Sequence, residues 1–192
     1  YVLPNLRVQN PDLKIDLLSL NNVDQIRGIK KGELDISFTR DNFQSDEIES
    51  KFVLREPLIF ILPKEHPLAK YERIPVQALD GIDFIIPSDE QSKMLHDAIL
   101  NFAKDHGIEF NVVQRAGNIL FNIYSIGIGL GCTILPGYIA TLTMNNTVIR
   151  PLDVELPSLD LFVSYRKNSN STAVQKFMDL LSKVFYLDFN QS

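Results

Sequence analysis

Residues 14–39 read Lys14-Ile15-Asp16-Leu17-Leu18-Ser19-Leu20-Asn21-Asn22-Val23-Asp24-Gln25-Ile26-Arg27-Gly28-Ile29-Lys30-Lys31-Gly32-Glu33-Leu34-Asp35-Ile36-Ser37-Phe38-Thr39. Ile15, Leu17, Leu18 and Leu20 are apolar, and Lys14–Leu20 predicts a strand. Val23, Ile26 and Ile29 then recur at helical spacing. Asn22 suits the N-cap, with Gln25 at the capping-box position. Lys30-Lys31 before Gly32 suits a helix C-terminus, because cations favour that end and glycine enters the left-handed turn. Leu34–Thr39 predicts a second strand. Strand, helix and strand within this span predict a right-handed βαβ unit in a parallel sheet.

Residues 1–10 predict a short helix, ended by Pro11. The polar residues 41–50 predict a loop. Leu58–Leu62, an unbroken apolar run between Pro57 and Pro63, suits a strand buried on both faces. Ile82–Ile86 predicts another strand. Ser88 then caps a helix with Gln91 at its third position, and Leu95, Ala98, Ile99, Phe102 and Ala103 follow at helical spacing. Strands over residues 108–114 and 159–166, helices over 118–126 and 137–144, and a last helix capped by Ser171 complete the pattern. The order is β-α-β-β, then β-α-β-α-β, then β-α. It predicts two α/β lobes, residues 1–60 with 148–192 and residues 61–147. Pro57–Pro63 leads outward and Thr147–Asp153 leads back. A cleft between two such lobes is a common place for a small ligand.

Composition narrows the function. The 192 residues are 45% hydrophobic and 22% charged, with a net charge of -5. The densest basic pairs are Lys30-Lys31 and Arg166-Lys167. Phosphate contacts demand a basic face, so this chain by itself is expected to have little affinity for DNA. Cys132 is the sole cysteine, which excludes an internal disulfide and suits a reducing cytoplasm. No apolar run reaches the roughly 18 residues of a membrane span. The start at Tyr1-Val2-Leu3-Pro4 has no basic leader and reads as if cut from a longer chain.

Four segments together resemble a known family. Gly32-Glu33-Leu34-Asp35-Ile36-Ser37-Phe38 is similar to its "G-x-L-D" strand segment. Pro57–Ala69, with Pro63-Lys64-Glu65-His66-Pro67-Leu68-Ala69, resembles its "PL-hydrophobics-P-x-x-HPLA" signature. Ile74–Leu79 followed by Phe84-Ile85-Ile86 resembles its "I-x-x-x-x-L … FI" step, and Gly127–Pro136 its "GxGLG … LP" segment. In this order they resemble the effector-binding domain of LysR-type transcriptional regulators over essentially the whole chain. The resemblance implies a type II periplasmic-binding-protein-like fold: two Rossmann-like lobes joined by two crossover strands. It also implies a small effector held between the lobes, a dimer of this domain and a tetramer of the whole regulator. DNA would be bound only through a winged helix-turn-helix outside this chain. Family members also have a strand and loop ahead of the segment seen here as Leu3-Pro4. Phe84–Pro87 with Val113–Asn118 looks most like regulators of aromatic-acid breakdown, which points to a benzoate- or hydroxycinnamate-like carboxylate.

Candidate effector contacts follow. Asn21 and Asn22 stand at a strand end and a helix start, where free N–H groups hold anions; simple capping is the competing role. Ser88, Gln91 and Ser92 stand at the matching place in the second lobe, with Leu95 as an apolar wall or core residue. Asn118 and the Gly129-Leu130-Gly131 turn are expected to face the same cleft. Arg40 is placed by the resemblance opposite Glu56, to bind an acidic effector or bias lobe closure. His66, His96 and His106 are too far apart for a metal site, and no cofactor loop is present. No nucleophile, base or metal cluster supports an enzyme. A solute-binding protein for transport is the alternative to the regulator.

Overall fold

The computed structural model describes residues 2–142 and 145–187, without the side chain of Gln91. The chain divides into two compact units, residues 1–54 with 160–192 and residues 55–159. The crossings thus fall earlier and later than the expected 60/61 and 147/148. The cause is pairing: residues 58–63 hydrogen-bond to strands at 133–136 and 147–149, so this stretch belongs to the second unit.

In the first unit, α1 (Val2–Gln9) packs on α5 (Thr172–Phe185). Leu6, Val53, Val163, Val174, Phe177 and Leu181 form its core. Ser171 caps α5 by accepting from the Val174 N–H. The strand β1 (Ile36–Thr39) pairs antiparallel with β7 (Ser158–Arg166), and β7 neighbours the long β2 (Ile48–Pro63). β2 therefore begins inside the stretch expected to be a loop.

The expected βαβ unit does not form here. The helix α2 (Asn22–Lys31) is present, closed by Gly32 at φ 75°. Lys14–Leu20 enters no ladder, and Leu17 and Leu18 are 76% and 65% exposed. A strand makes its hydrogen bonds only with a neighbour, and no described strand lies alongside it. Within this stretch Ile15 packs against the core, as does Leu13 just before it.

The second unit holds a true strand–helix–strand. β3 (Asp83–Pro87) and β4 (Asn111–Ala116) pair in parallel, from Asp83 opposite Asn111 to Pro87 opposite Ala116. α3 (Asp89–Asp105) connects them, and α4 (Ile119–Gly127) follows β4. Phe84, Ile85 and Ile86 are fully buried, as a strand covered on both faces requires. β5 (Thr133–Pro136) and β6 (Thr147–Ile149) pair with β2. Arg150 and Arg73 donate to the Ala69 and Leu152 carbonyls, fastening the return segment to the 64–79 connector.

Candidate functional site

A parallel sheet gathers its binding groups at the carboxyl ends of its strands, where the following helices begin. In the second unit that end is formed by Pro87 and Ala116. The Ser88 N–H donates to the Ala116 carbonyl at 2.9 Å, tying the two strand exits together. Asn118 caps α4, its side-chain oxygen accepting from the Phe121 N–H at 2.8 Å. A side chain added at Gly117 would meet nothing within 4 Å, so the backbone beside Asn118 is open to close approach.

α3 starts in two steps. Asp89–Gln91 make one turn, and then Ser92 takes extended angles (φ -158°, ψ 93°) that break the helix. The Ser92 hydroxyl accepts from the Leu95 N–H at 3.4 Å, so Ser92 is the cap of the longer segment. The expected single helix over this stretch is thus broken at Ser92. Ser92 also ties back by donating its own N–H to the Ser88 carbonyl. Leu95 is buried in the core and acts as packing. His96 is 9% exposed, and its Nδ1 lies 2.8 Å from the Pro87 carbonyl. The side chain of Gln91 lies outside the described residues.

Leu130 and Gly131 do not join Asn118. Cys132 bridges Phe84, its N–H donating to Asp83 and its carbonyl accepting from Ile85. The Gly129–Gly131 turn therefore lies at the start of β3, roughly 13 Å from the Pro87 end by strand rise. Gly131 has a packing reason to be glycine: a Cβ there would stand 2.7 Å from the Asp83 carbonyl oxygen. Cys132 is fully buried, and burial, with the Asp83 charge second, pushes its thiol up to about 12. That makes it an inert core residue.

In the first unit the matching end is the exit of β1. Asn21, not Asn22, is the cap of α2: its side chain accepts from the Asp24 N–H and donates to the Asp24 carboxylate. Asn22 instead donates to Asp41 at 2.7 Å. Gln25 reaches back to the Leu20 carbonyl. Arg40 is half-buried in the bend after β1. Asn21 and Asn22 thus have hydrogen-bond partners of their own, and Asp41 brings a carboxylate to this end. Glu56 has a role the sequence did not suggest, accepting from the Tyr138 N–H at 3.0 Å. β5 runs in the direction of β3, so Pro136–Tyr138 emerge toward the Pro87 end. Only the Leu-Pro-Gly break at 135–137 hinted at this exit.

Among the described residues no group of three metal-ligating side chains occurs, and no helix is long and apolar enough to cross a membrane. The two α/β units define a type II periplasmic-binding-protein-like domain. The regulatory domain of Synechocystis CcmR, solved with 2-PG, matches 99% of this chain and 90% of its own at TM-score 0.80 and 20% identity. The BenM effector-binding domain, solved with its effector benzoate, matches 96% and 84% at TM-score 0.79 and 18% identity. The chain belongs to the LysR substrate binding domain family, whose model matches residues 1–185. The Escherichia coli Hca operon transcriptional activator HcaR is 33% identical over 182 residues, 95% of this chain. Pseudomonas putida CatR is 26% identical over 182 residues, 91% of this chain. The chain spans 62% and 60% of those two regulators. All these named relatives are regulators, which sets the transport reading aside.

Proposed function

We propose that this domain senses a small aromatic carboxylate and that the regulator carrying it controls transcription through a DNA-binding part outside this chain. The carrying observation is the shared exit of β3 and β4, where two helices begin beside the open backbone of Gly117. Helix N-termini present N–H groups and the positive end of the dipole to an anion. Ser88, Gln91, Ser92 and Asn118 are the proposed contacts in the second unit; Asn21, Asn22 and Arg40 are those in the first. The aromatic choice is supported by the benzoate complex of BenM and by the likeness of Phe84–Pro87 with Val113–Asn118 to regulators of aromatic-acid breakdown. The effector acts through its different affinity for the two states of the regulator. The setting is the cytoplasm.

A thermal-shift panel of aromatic acids, aliphatic acids, amino acids and sugar acids tests this. An effector at 100 times its dissociation constant adds ~2.7 kcal/mol to stability. A clear shift from an amino acid or sugar acid, with none from any aromatic acid, overturns the aromatic reading.

The domain is also proposed to dimerise, the first unit of one chain beside the second unit of another. Leu17 and Leu18 of the first unit, and in the second Leu120, Phe121 and Tyr124 on α4 with Ile128 just after it, are exposed. Such apolar stripes are commonly covered by a partner. Light scattering that finds a single-chain mass at high concentration contradicts the dimer.

A further inference from the structure

We propose that His96 is a positioning residue that holds the Ser88–Ser92 segment in its binding geometry by donating its Nδ1–H to the Pro87 carbonyl. This deepens the function proposed above and rests on it for the identity of the ligand. It goes beyond it in assigning a role to a buried histidine that is not itself among the proposed contacts.

The break at Ser92 is the starting point. A continuous helix would carry its first turn rigidly, through its own ladder of hydrogen bonds. With Ser92 extended, the Asp89–Gln91 turn is separated from the body of α3. Three ties join described residues of this stretch. The Ser88 N–H donates to Ala116, the Ser92 N–H donates to Ser88, and His96 reaches Pro87. Of these, only the His96 bond runs from the body of α3 to the end of β3, across the break. Its acceptor is the carbonyl of Pro87, which directly precedes Ser88.

The chemistry fixes the proton. A carbonyl oxygen only accepts, so Nδ1 must carry hydrogen. Pro87 is itself buried, and a buried carbonyl that loses its donor turns toward another one. The peptide plane that turns is the one bearing the Ser88 N–H, the tie to Ala116. Loss of the imidazole donor therefore loosens Ser88 first and the ligand second.

Three proteins decide this: the chain as it stands, His96→Leu and His96→Asn, the last keeping a donor nitrogen close to the place of Nδ1. The readouts are amide hydrogen exchange at Ser88 and Ser92 and the affinity for benzoate as probe. His96→Leu is expected to speed exchange at both amides and to weaken benzoate, each by about tenfold, the upper range for one buried hydrogen bond. His96→Asn is expected to restore both. A folded His96→Leu with unchanged exchange at Ser88 overturns the proposal, and so does failure of His96→Asn to restore it. Should His96→Leu not fold, the unsubstituted chain still decides. Nitrogen-15 spectra of His96 must show Nδ1 protonated, and an Nε2–H tautomer overturns the proposal. Should benzoate not bind the unsubstituted chain, the choice of ligand fails, while exchange and tautomer still judge His96.

Discussion

Residues 14–39 and residues 82–116 carry the same local pattern, an apolar strand-like run, a helix and a second run, yet they end differently. In the second stretch, β3 and β4 pair over five positions and Phe84, Ile85 and Ile86 vanish from solvent. In the first, the Lys14–Leu20 run enters no ladder and stays largely exposed, and β1 makes its ladder with β7. The helices form in both, because a helix closes its hydrogen bonds internally. A strand depends on a neighbour elsewhere in the chain. The difference teaches that alternation and apolarity license a strand, and that pairing makes one.

The largest test of this contrast is energetic. Phe84 is fully buried and stacked at 4.0 Å on Phe110. Phe84→Ala is expected to cost ~3–5 kcal/mol. Leu18→Ala, in a residue of similar apolarity but on the surface, is expected to stay within about 0.5 kcal/mol. Urea unfolding of both variants at low protein concentration checks the pair. A loss at Leu18 that appears only as concentration rises would show that a second copy covers this face, which would sharpen the comparison.

A middle-sized effect compares the two helix starts. Asn118 and Asn21 each accept from the N–H three residues on. Each is expected to lose ~1 kcal/mol on change to alanine. Asn21 also holds Asp24 through its amide, on an exposed surface where such a bond adds little. Equal losses in denaturant unfolding fit this account. A much larger loss at Asn21 would mean that α2 depends on its cap because the run before it packs so little.

What was legible follows the same physics. The glycine closure of α2, the Ser171 cap and the buried β3 run are local signals and could be read directly. The one-residue error at Asn21 and Asn22 arose because both residue types suit a cap, and only the backbone angles decide between them. The break at Ser92 was hidden because serine fits either cap position and Leu95 continues the apolar spacing. Leu130 and Gly131 were grouped with Asn118 because glycines suggested ligand approach. Their place at the start of β3 depends on the Cys132 bridge, a contact between distant residues that no local pattern encodes. The contact between Glu56 and Tyr138 is hidden from the sequence for the same reason.

The smallest expected effect concerns the connector between β2 and β3. His66 Nδ1 accepts from the Leu68 N–H at 3.2 Å, so the neutral ring caps the 3-10 turn Pro67–Lys70. Burial holds this histidine below its ordinary value, against the opposing charge of Asp83. The folded chain therefore binds fewer protons here than the unfolded chain. Stability rises with pH wherever the unfolded state binds more protons. The contribution is complete above the ordinary histidine value of 6.5 and is lost as pH falls through that value toward the lowered one. Urea midpoints between pH 7.5 and pH 6, a range chosen so that ordinary carboxylates stay ionised, should fall slightly for the unsubstituted chain. They should fall less for His66→Asn, whose side-chain oxygen can still accept from Leu68 but does not titrate. The ring is half exposed, so solvent keeps the effect small. A midpoint that rises on acidification within this window, and loses that rise in His66→Asn, would show that the Asp83 attraction outweighs burial. The second unit would then gain stability from a charged histidine at the end of its sheet where β3 begins.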